Sequence, residues 1–93
     1  MRIEPLAIDS IQILSVGTTA QDVKICHDKY IIIQNQHATQ TLHIKEKSVD
    51  GTAVTESNGY IIYPKESSIP LSVNTLSIIA SGASTTAAIL ILK

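Results

Sequence analysis

The sequence contains neither phenylalanine nor tryptophan, so its three tyrosines are the only aromatic side chains. The interior must therefore be filled by Ile, Leu, Val and Ala, which contribute most of the 44% of residues that are apolar. β-Branched side chains have restricted χ1 rotamers and pack well on a pleated surface, so this composition favours strands over helices. So few rings also leave little material for stacking against sugars.

Cysteine is almost absent as well, since Cys26 stands alone and no intrachain disulfide can form. This usage is compatible with folding in a reducing cytosol. The formal net charge is −1, with acids and bases scattered along the chain. A basic patch that displaces phosphate counterions is the usual sign of nucleic-acid binding, so we expect no nucleic-acid partner.

Long apolar segments are missing too. The longest uninterrupted apolar run, residues 87–92, is far shorter than the roughly 20 residues that a transmembrane helix needs. Near the N-terminus, Glu4 and Pro5 come too early for the apolar core of a signal peptide, and Asp9 interrupts the short apolar stretch after Pro5. These features predict a soluble protein with no membrane partner and no secretion signal.

The hydrophobic pattern has a period of two and is interrupted at short intervals by turn residues, which is typical of a β-sandwich or barrel. We predict one domain over residues 1–93, all-β, with two packed antiparallel sheets of seven or eight short strands, jelly-roll-like or immunoglobulin-like. The predicted strands are residues 8–16, 21–26, 30–33, 41–47, 60–63, 69–73, 76–80 and 86–92, and Pro70 indicates that the strand at 69–73 lies at a sheet edge or carries a bulge. A short helix over residues 7–14 is an alternative to the first strand, and residues 52–55 fit either an edge strand or a loop.

Candidate metal ligands are concentrated in one half of the chain, namely Cys26, His27, His37 and His43. Structural zinc sites use two pairs of closely spaced ligands, and only the adjacent pair Cys26 and His27 is present. Adjacent side chains on a strand point to opposite faces, so these two would not chelate one ion. We therefore predict no metal and no cofactor.

Candidate catalytic groups also lack a recognisable setting. A nucleophile site would combine Cys26 or a serine with a histidine and a carboxylate such as Asp28 or Asp50, but no nucleophile elbow or cysteine-protease signature surrounds them. The carboxylates of Glu46, Glu56 and Glu66 lie in polar segments without an evident apolar pocket. We predict no catalytic residue and no enzymatic activity.

The last predicted strand is apolar on both faces, and three consecutive isoleucines make residues 31–33 similar. One face of each sheet in a two-layer sandwich normally contacts water, so a two-sided strand indicates that its outward face is covered. The cover is the same chain, an N-terminal arm or another subunit. The candidate residues for a subunit or particle interface are Ile8, Ile11, Ile13, Ile89, Leu90, Ile91 and Leu92.

A family resemblance is carried by Ile31-Ile32-Ile33-Gln34-Asn35, Leu42-His43-Ile44, Asn58-Gly59-Tyr60-Ile61-Ile62-Tyr63-Pro64-Lys65-Glu66-Ser67 and Leu76-Ser77-Ile78-Ile79-Ala80. A strand ending in Gln-Asn precedes a polar loop, a Gly-led strand ends at a Pro-x-Glu turn, and two further strands close the sheet. In this order of elements, about two thirds of the chain resembles the small β-sandwich virion proteins of tailed bacteriophages, the capsid decoration and head-fibre accessory proteins.

That resemblance implies a homo-oligomeric structural protein without a cofactor, attached to the surface of a virion that is assembled in the host cytoplasm. Its partners would be copies of itself and the major capsid protein or other virion proteins. Residues 1–16 would be an N-terminal arm or the first strand. The competing interpretation is a receptor- or glycan-binding module whose site would be lined by Tyr60, Tyr63 and residues 48–59.

Overall fold

The computed structural model describes residues 8–25, 30–47 and 51–92, and within these ranges the chain forms β-strands and no α-helix. The seven strands are β1 (Ile8–Val16), β2 (Gln21–Lys24), β3 (Ile31–Asn35), β4 (Leu42–Glu46), β5 (Tyr60–Ile62), β6 (Thr75–Ala80) and β7 (Thr85–Leu92). They build two antiparallel sheets, which confirms the predicted all-β sandwich.

The strands divide into a three-stranded sheet of order β1-β7-β3 and a four-stranded sheet of order β2-β6-β4-β5. All pairings are antiparallel. The chain changes sheet between β1 and β2, β2 and β3, β3 and β4, and β6 and β7. Strands that are neighbours in one sheet are therefore mostly distant in sequence.

The N-terminal part of the described chain is a full member of the sandwich. Residues 8–16 pair with β7 along their length, apart from an irregularity between Ile8 and Ser10. The helix alternative is therefore wrong for residues 8–14, and residues 8–16 are a strand and not a free arm. Residues 1–7 lie outside the described part of the chain.

Two local predictions need correction. Residues 69–73 lie at a sheet edge, as Pro70 indicated, but do not form a continuous strand, because residues 67–71 extend one residue further than residues 31–34 of β3 and break the register. The segment instead touches the edge of β3 through isolated bridges, Leu71 to Ile31 and Ser67 to Gln34. A run that is apolar on both faces, such as residues 30–33, is typical of a central strand, but β3 is the outermost strand of its sheet and β7 is the central one. Residues 52–55 are loop.

The core lies between the inner faces of the two sheets and is built from aliphatic side chains, as the missing large aromatics predict. Alternate residues of each strand contribute to it. The buried members are Val16, Val23, Ile25, Ile31, Ile33, Leu42, Ile44, Ile62, Val73, Leu76, Ile78, Ala80, Ala87 and Ile89. Because side chains alternate along a strand, the intervening residues of β1, β3 and β7 point to the outer face of the three-stranded sheet.

A matched pair on β7 tests this assignment of faces. We expect Ile89→Ala to lower the free energy of unfolding by about 2–5 kcal/mol, because Ile89 is fully buried between the sheets. Leu90→Ala removes a half-buried side chain from the outer face and should cost less than about 2 kcal/mol. Urea denaturation at low protein concentration measures both. Equal losses would contradict the assignment.

Candidate functional site

The outer face of the three-stranded sheet carries a continuous group of apolar side chains. The strand register places Leu90 of β7 between Ile11 of β1 and Ile32 of β3, so these three form one row across the sheet. In the next row, Ile13 lies opposite Ala88. We call this surface, made of Ile11, Ile13, Ile32, Ala88 and Leu90, the apolar outer face.

Much of the apolar outer face is open to solvent. Ile11 is 57% exposed and Ile13 is 60% exposed, while Ile32 and Leu90 are half-buried. Ala88 is buried because its small side chain lies in the central strand between larger neighbours. Contiguous exposed apolar groups on a small protein mark interaction surfaces more often than isolated ones do. This face is therefore the strongest candidate for a binding surface in the described chain.

The outer face of the four-stranded sheet is different, since residues 51–59 fold over it. The amide of Val54 donates to Ser77 Oγ at 3.0 Å, and both residues are buried. Lys45 Nζ donates to the carbonyl oxygen of Thr52 at 3.4 Å. At Gly59, whose φ is +86°, a Cβ would lie 2.5 Å from the carbonyl oxygen of Ile44, so the loop returns to β4 where only glycine fits. One outer face is thus covered by the chain itself.

The structure brings together three of the residues predicted for an interface, namely Ile11, Ile13 and Leu90. Ile32 completes the row and was not predicted as an interface residue. The two-sided isoleucine run at residues 31–33 contained the signal, because alternation forces one of the three to the outside.

The other predicted interface residues are placed elsewhere. Ile89 is fully buried in the core and Ile91 packs partly against it. Leu92 is buried at the end of β7. The side chain of Ile8 lies outside the part that is described. Of residues 89–92, Ile89 and Leu92 are therefore buried and Ile91 is partly buried within the chain, and only Leu90 belongs to the apolar outer face.

A polar depression of about 390 Å³ lies beside the end of β3 and is lined by Gln34, Asn35, Gln36 and Lys65. Gln36 Nε2 donates to Gln34 Oε1 at 3.1 Å, and Lys65 Nζ donates to the carbonyl oxygen of Gln36 at 3.1 Å. The lining consists of amides and one ammonium group. The amides donate and accept hydrogen bonds, and the ammonium group donates only.

Asn35 is the buried member of this lining, and its amide group holds three segments together. Its Nδ2 donates to the carbonyl oxygens of Gln40 at 2.8 Å and Ile62 at 3.1 Å. Its Oδ1 accepts from the amide of His37 at 3.0 Å. All three bonds are internal, so Asn35 stabilises the turn after β3 and the end of β5.

A second, apolar cleft of about 200 Å³ opens beside β4, with Tyr60, Leu71 and Val73 in its lining. Glu46 at its rim accepts hydrogen bonds from the amides of Asn74 and Thr75, so the turn before β6 uses its carboxylate. The predicted glycan-site lining is not assembled here. Among the described residues, Tyr63 does not line this cleft and no residue of the 51–59 loop does. Residues 48–50 lie outside the described part of the chain.

Two of the candidate metal ligands, His37 and His43, lie within the described residues and have structural roles or positions. His37 Nδ1 accepts hydrogen bonds from the amides of Thr39 and Gln40, both at 3.0 Å, and so closes the turn between β3 and β4. His43 lies buried on the outer face of the four-stranded sheet, opposite Ile79. Within the described ranges its Nδ1 has no hydrogen-bond partner.

The other candidate ligands and nucleophiles, Cys26, His27, Asp28 and Asp50, fall outside the described residues. Residues 8–25, 30–47 and 51–92 contain no group of three His, Cys, Asp or Glu side chains placed to hold a metal ion. Those same residues include no helix long and apolar enough to cross a membrane.

No family model, curated protein or solved structure matches this chain. The resemblance to bacteriophage virion proteins therefore stays a prediction.

Replacing Asn35 tests whether the polar depression depends on a buried anchor. We expect Asn35→Ala to lower the free energy of unfolding by about 2–4 kcal/mol, since three buried or part-buried backbone groups, in the turn after β3 and at the end of β5, lose their partner. Gln36→Ala changes an exposed member of the same lining and should cost less than about 1 kcal/mol. Thermal unfolding followed by circular dichroism measures both. A small effect at Asn35 would contradict its role as a buried anchor.

Proposed function

We propose that this chain is a non-enzymatic structural protein of a bacteriophage virion, acting in capsid decoration or as a head or fibre accessory. It assembles with copies of itself and with capsid or other virion proteins through the apolar outer face. The observation that carries this proposal is the exposure of Ile11 and Ile13 on a face continuous with Ile32 and Leu90.

The energetic argument is that these side chains gain little from folding of the single chain. Full burial of an isoleucine is worth about 1.5–3 kcal/mol relative to leaving it in water. More than half of the surface of Ile11 and of Ile13 remains in water. A partner that covers this face recovers that free energy, so the face favours association.

The described cavities also favour binding or assembly over catalysis. The polar depression is lined by amides and one lysine, and the apolar cleft mainly by aliphatic side chains and Tyr60. General acid-base chemistry needs a positioned group with a suitable protonation state, most often a histidine or a carboxylic acid. The depression offers neither, and the carboxylate at the cleft already accepts two backbone hydrogen bonds.

The double variant Ile11→Gln with Ile13→Gln tests the proposed role of the apolar outer face. Because both side chains are exposed, we expect the free energy of unfolding to change by less than about 1 kcal/mol. Binding to particles should be lost, because two amides now require desolvation at the interface. Co-sedimentation with particles purified from the native source measures binding.

Ile61→Gln is the matched control, because Ile61 is 42% exposed but lies in β5 of the four-stranded sheet, away from the apolar outer face. This variant should co-sediment like the native chain. Native chain that never sediments with particles, or a double variant that binds as well as the native chain, would overturn the proposal.

A receptor- or glycan-binding role is the second proposal, and the polar depression is the observation that favours it. Side-chain amides at Gln34 and Gln36 supply donors and acceptors that suit sugar hydroxyls. We expect the double variant Gln34→Ala with Gln36→Ala to lose binding on a glycan array while keeping the native mass in solution. An array on which the native chain gives no signal would remove this second proposal.

A further inference from the structure

Three of the four sheet edges are protected in ways that natural proteins use to prevent strand pairing between molecules. The β2 edge is four residues long and carries exposed Asp22 and Lys24. The β5 edge is only three residues long, and Pro64 follows shortly after it. The β3 edge is partly covered by the bridges from Ser67 and Leu71.

The β1 edge is less protected, because its charged residue Asp9 and the irregularity between Ile8 and Ser10 both lie at the N-terminal end of the strand. The strand is nine residues long and outermost in its sheet. Residues 10–16 contain no charge and no proline. No described residue pairs with its free side until Gly17, whose carbonyl oxygen accepts from the amide of Ala80 at 2.9 Å. The uncharged, open stretch of residues 10–16 is a template for pairing with another strand.

The hydrogen-bond pattern shows which backbone groups of β1 face outward. The amide of Gln36 donates to the carbonyl oxygen of Thr86, and that of Leu92 donates to the carbonyl oxygen of Tyr30. Even-numbered residues of β7 therefore bond towards β3. Because direction alternates along an antiparallel strand, odd-numbered residues of β7 bond towards β1.

The same alternation continues into β1. Gln12 lies opposite Ile89, so even-numbered residues of β1 bond to β7. Odd-numbered residues then direct their N–H and C=O groups to the free edge. These outward-facing residues are Ile11, Ile13 and Ser15.

We infer that the β1 edge pairs with β1 of a second copy of this chain. This inference rests on the proposed assembly function and identifies the contact between two copies. In an antiparallel pair with Ile13 opposite its own counterpart, Ile11 lies opposite Ser15 of the second copy. Every outward-facing N–H and C=O of the three residues then has a partner. The two three-stranded sheets become one continuous six-stranded sheet.

A second copy fits this edge because the contact is self-complementary. A two-fold axis at Ile13 matches each outward-facing residue with another, which is the isologous geometry of the commonest homodimers. Residues 10–16 lie opposite residues 10–16 of the second copy and none of them is charged, so no like charges repel. The axis is perpendicular to the sheet, so both apolar outer faces lie on the same side and form one larger surface.

The test compares Ser15→Pro with Ser15→Ala. Ser15 is exposed and its amide points away from β7, so proline is tolerated there in the monomer but removes an intermolecular hydrogen bond twice by symmetry. We expect the native chain and Ser15→Ala to reach twice the 10.0 kDa chain mass in sedimentation equilibrium. Ser15→Pro should raise the dimer Kd by roughly a hundredfold, about tenfold for each lost bond.

Amide hydrogen exchange on the native chain gives a readout that needs no variant. Edge pairing protects the amides of Ile11, Ile13 and Ser15 at high protein concentration and leaves them unprotected on dilution. A chain that is monomeric at every concentration overturns the inference. So does a dimer in which these three amides exchange freely, because association then uses the face alone.

The particle experiment separates this inference from the proposed function. Ser15→Pro leaves the apolar outer face intact, so particle binding by this variant together with native-like dimerisation would overturn the edge contact and leave the virion role standing. Native chain that dimerises with protected β1 amides but never co-sediments with particles supports the edge contact and overturns the virion role.

Discussion

The backbone hydrogen bonds of β7 hold the three-stranded sheet together, because β1 and β3 each pair with β7 and not with each other. The same strand places Ala87 and Ile89 against the four-stranded sheet. Both of its neighbours precede it by a long stretch of chain, so the sheet closes only when the C-terminal segment docks. The core and the apolar outer face both depend on that docking.

This central position explains why β7 is apolar on both sides. Its inner side meets the other sheet, and on its outer side the small Ala88 is buried with Ile13 on one flank. Because β7 has a neighbouring strand on each edge, the side chains of those strands are enough to bury an alanine on its outer side. Solvent exposure instead falls on the flanking strand β1, where Ile11 and Ile13 have a neighbour on one edge only.

Local sequence was sufficient for the fold class and for β1, whose predicted and observed limits agree. It failed at residues 69–73, where alternation suggested a continuous strand but the segment has only isolated bridges to β3. For the candidate site, period-two alternation assigned Ile11 and Gln12 to opposite faces of the strand. It could not reveal that β7 is the central strand and β1 an edge strand. Sheet order depends on pairing between distant segments, as between Ile13 and Ala88, and no short window contains it.

The two outer faces differ because a long connection of the chain covers only one of them. That connection, between β4 and β5, lies over the four-stranded sheet and buries Val54 against Ser77. The three-stranded sheet receives no comparable loop from the described residues. A small chain leaves a large fraction of its surface unburied, and in the proposed assembly a second molecule provides further contact. β1 is suited to provide it, because its even-numbered residues bond within the fold while its odd-numbered residues present both apolar side chains and free backbone groups.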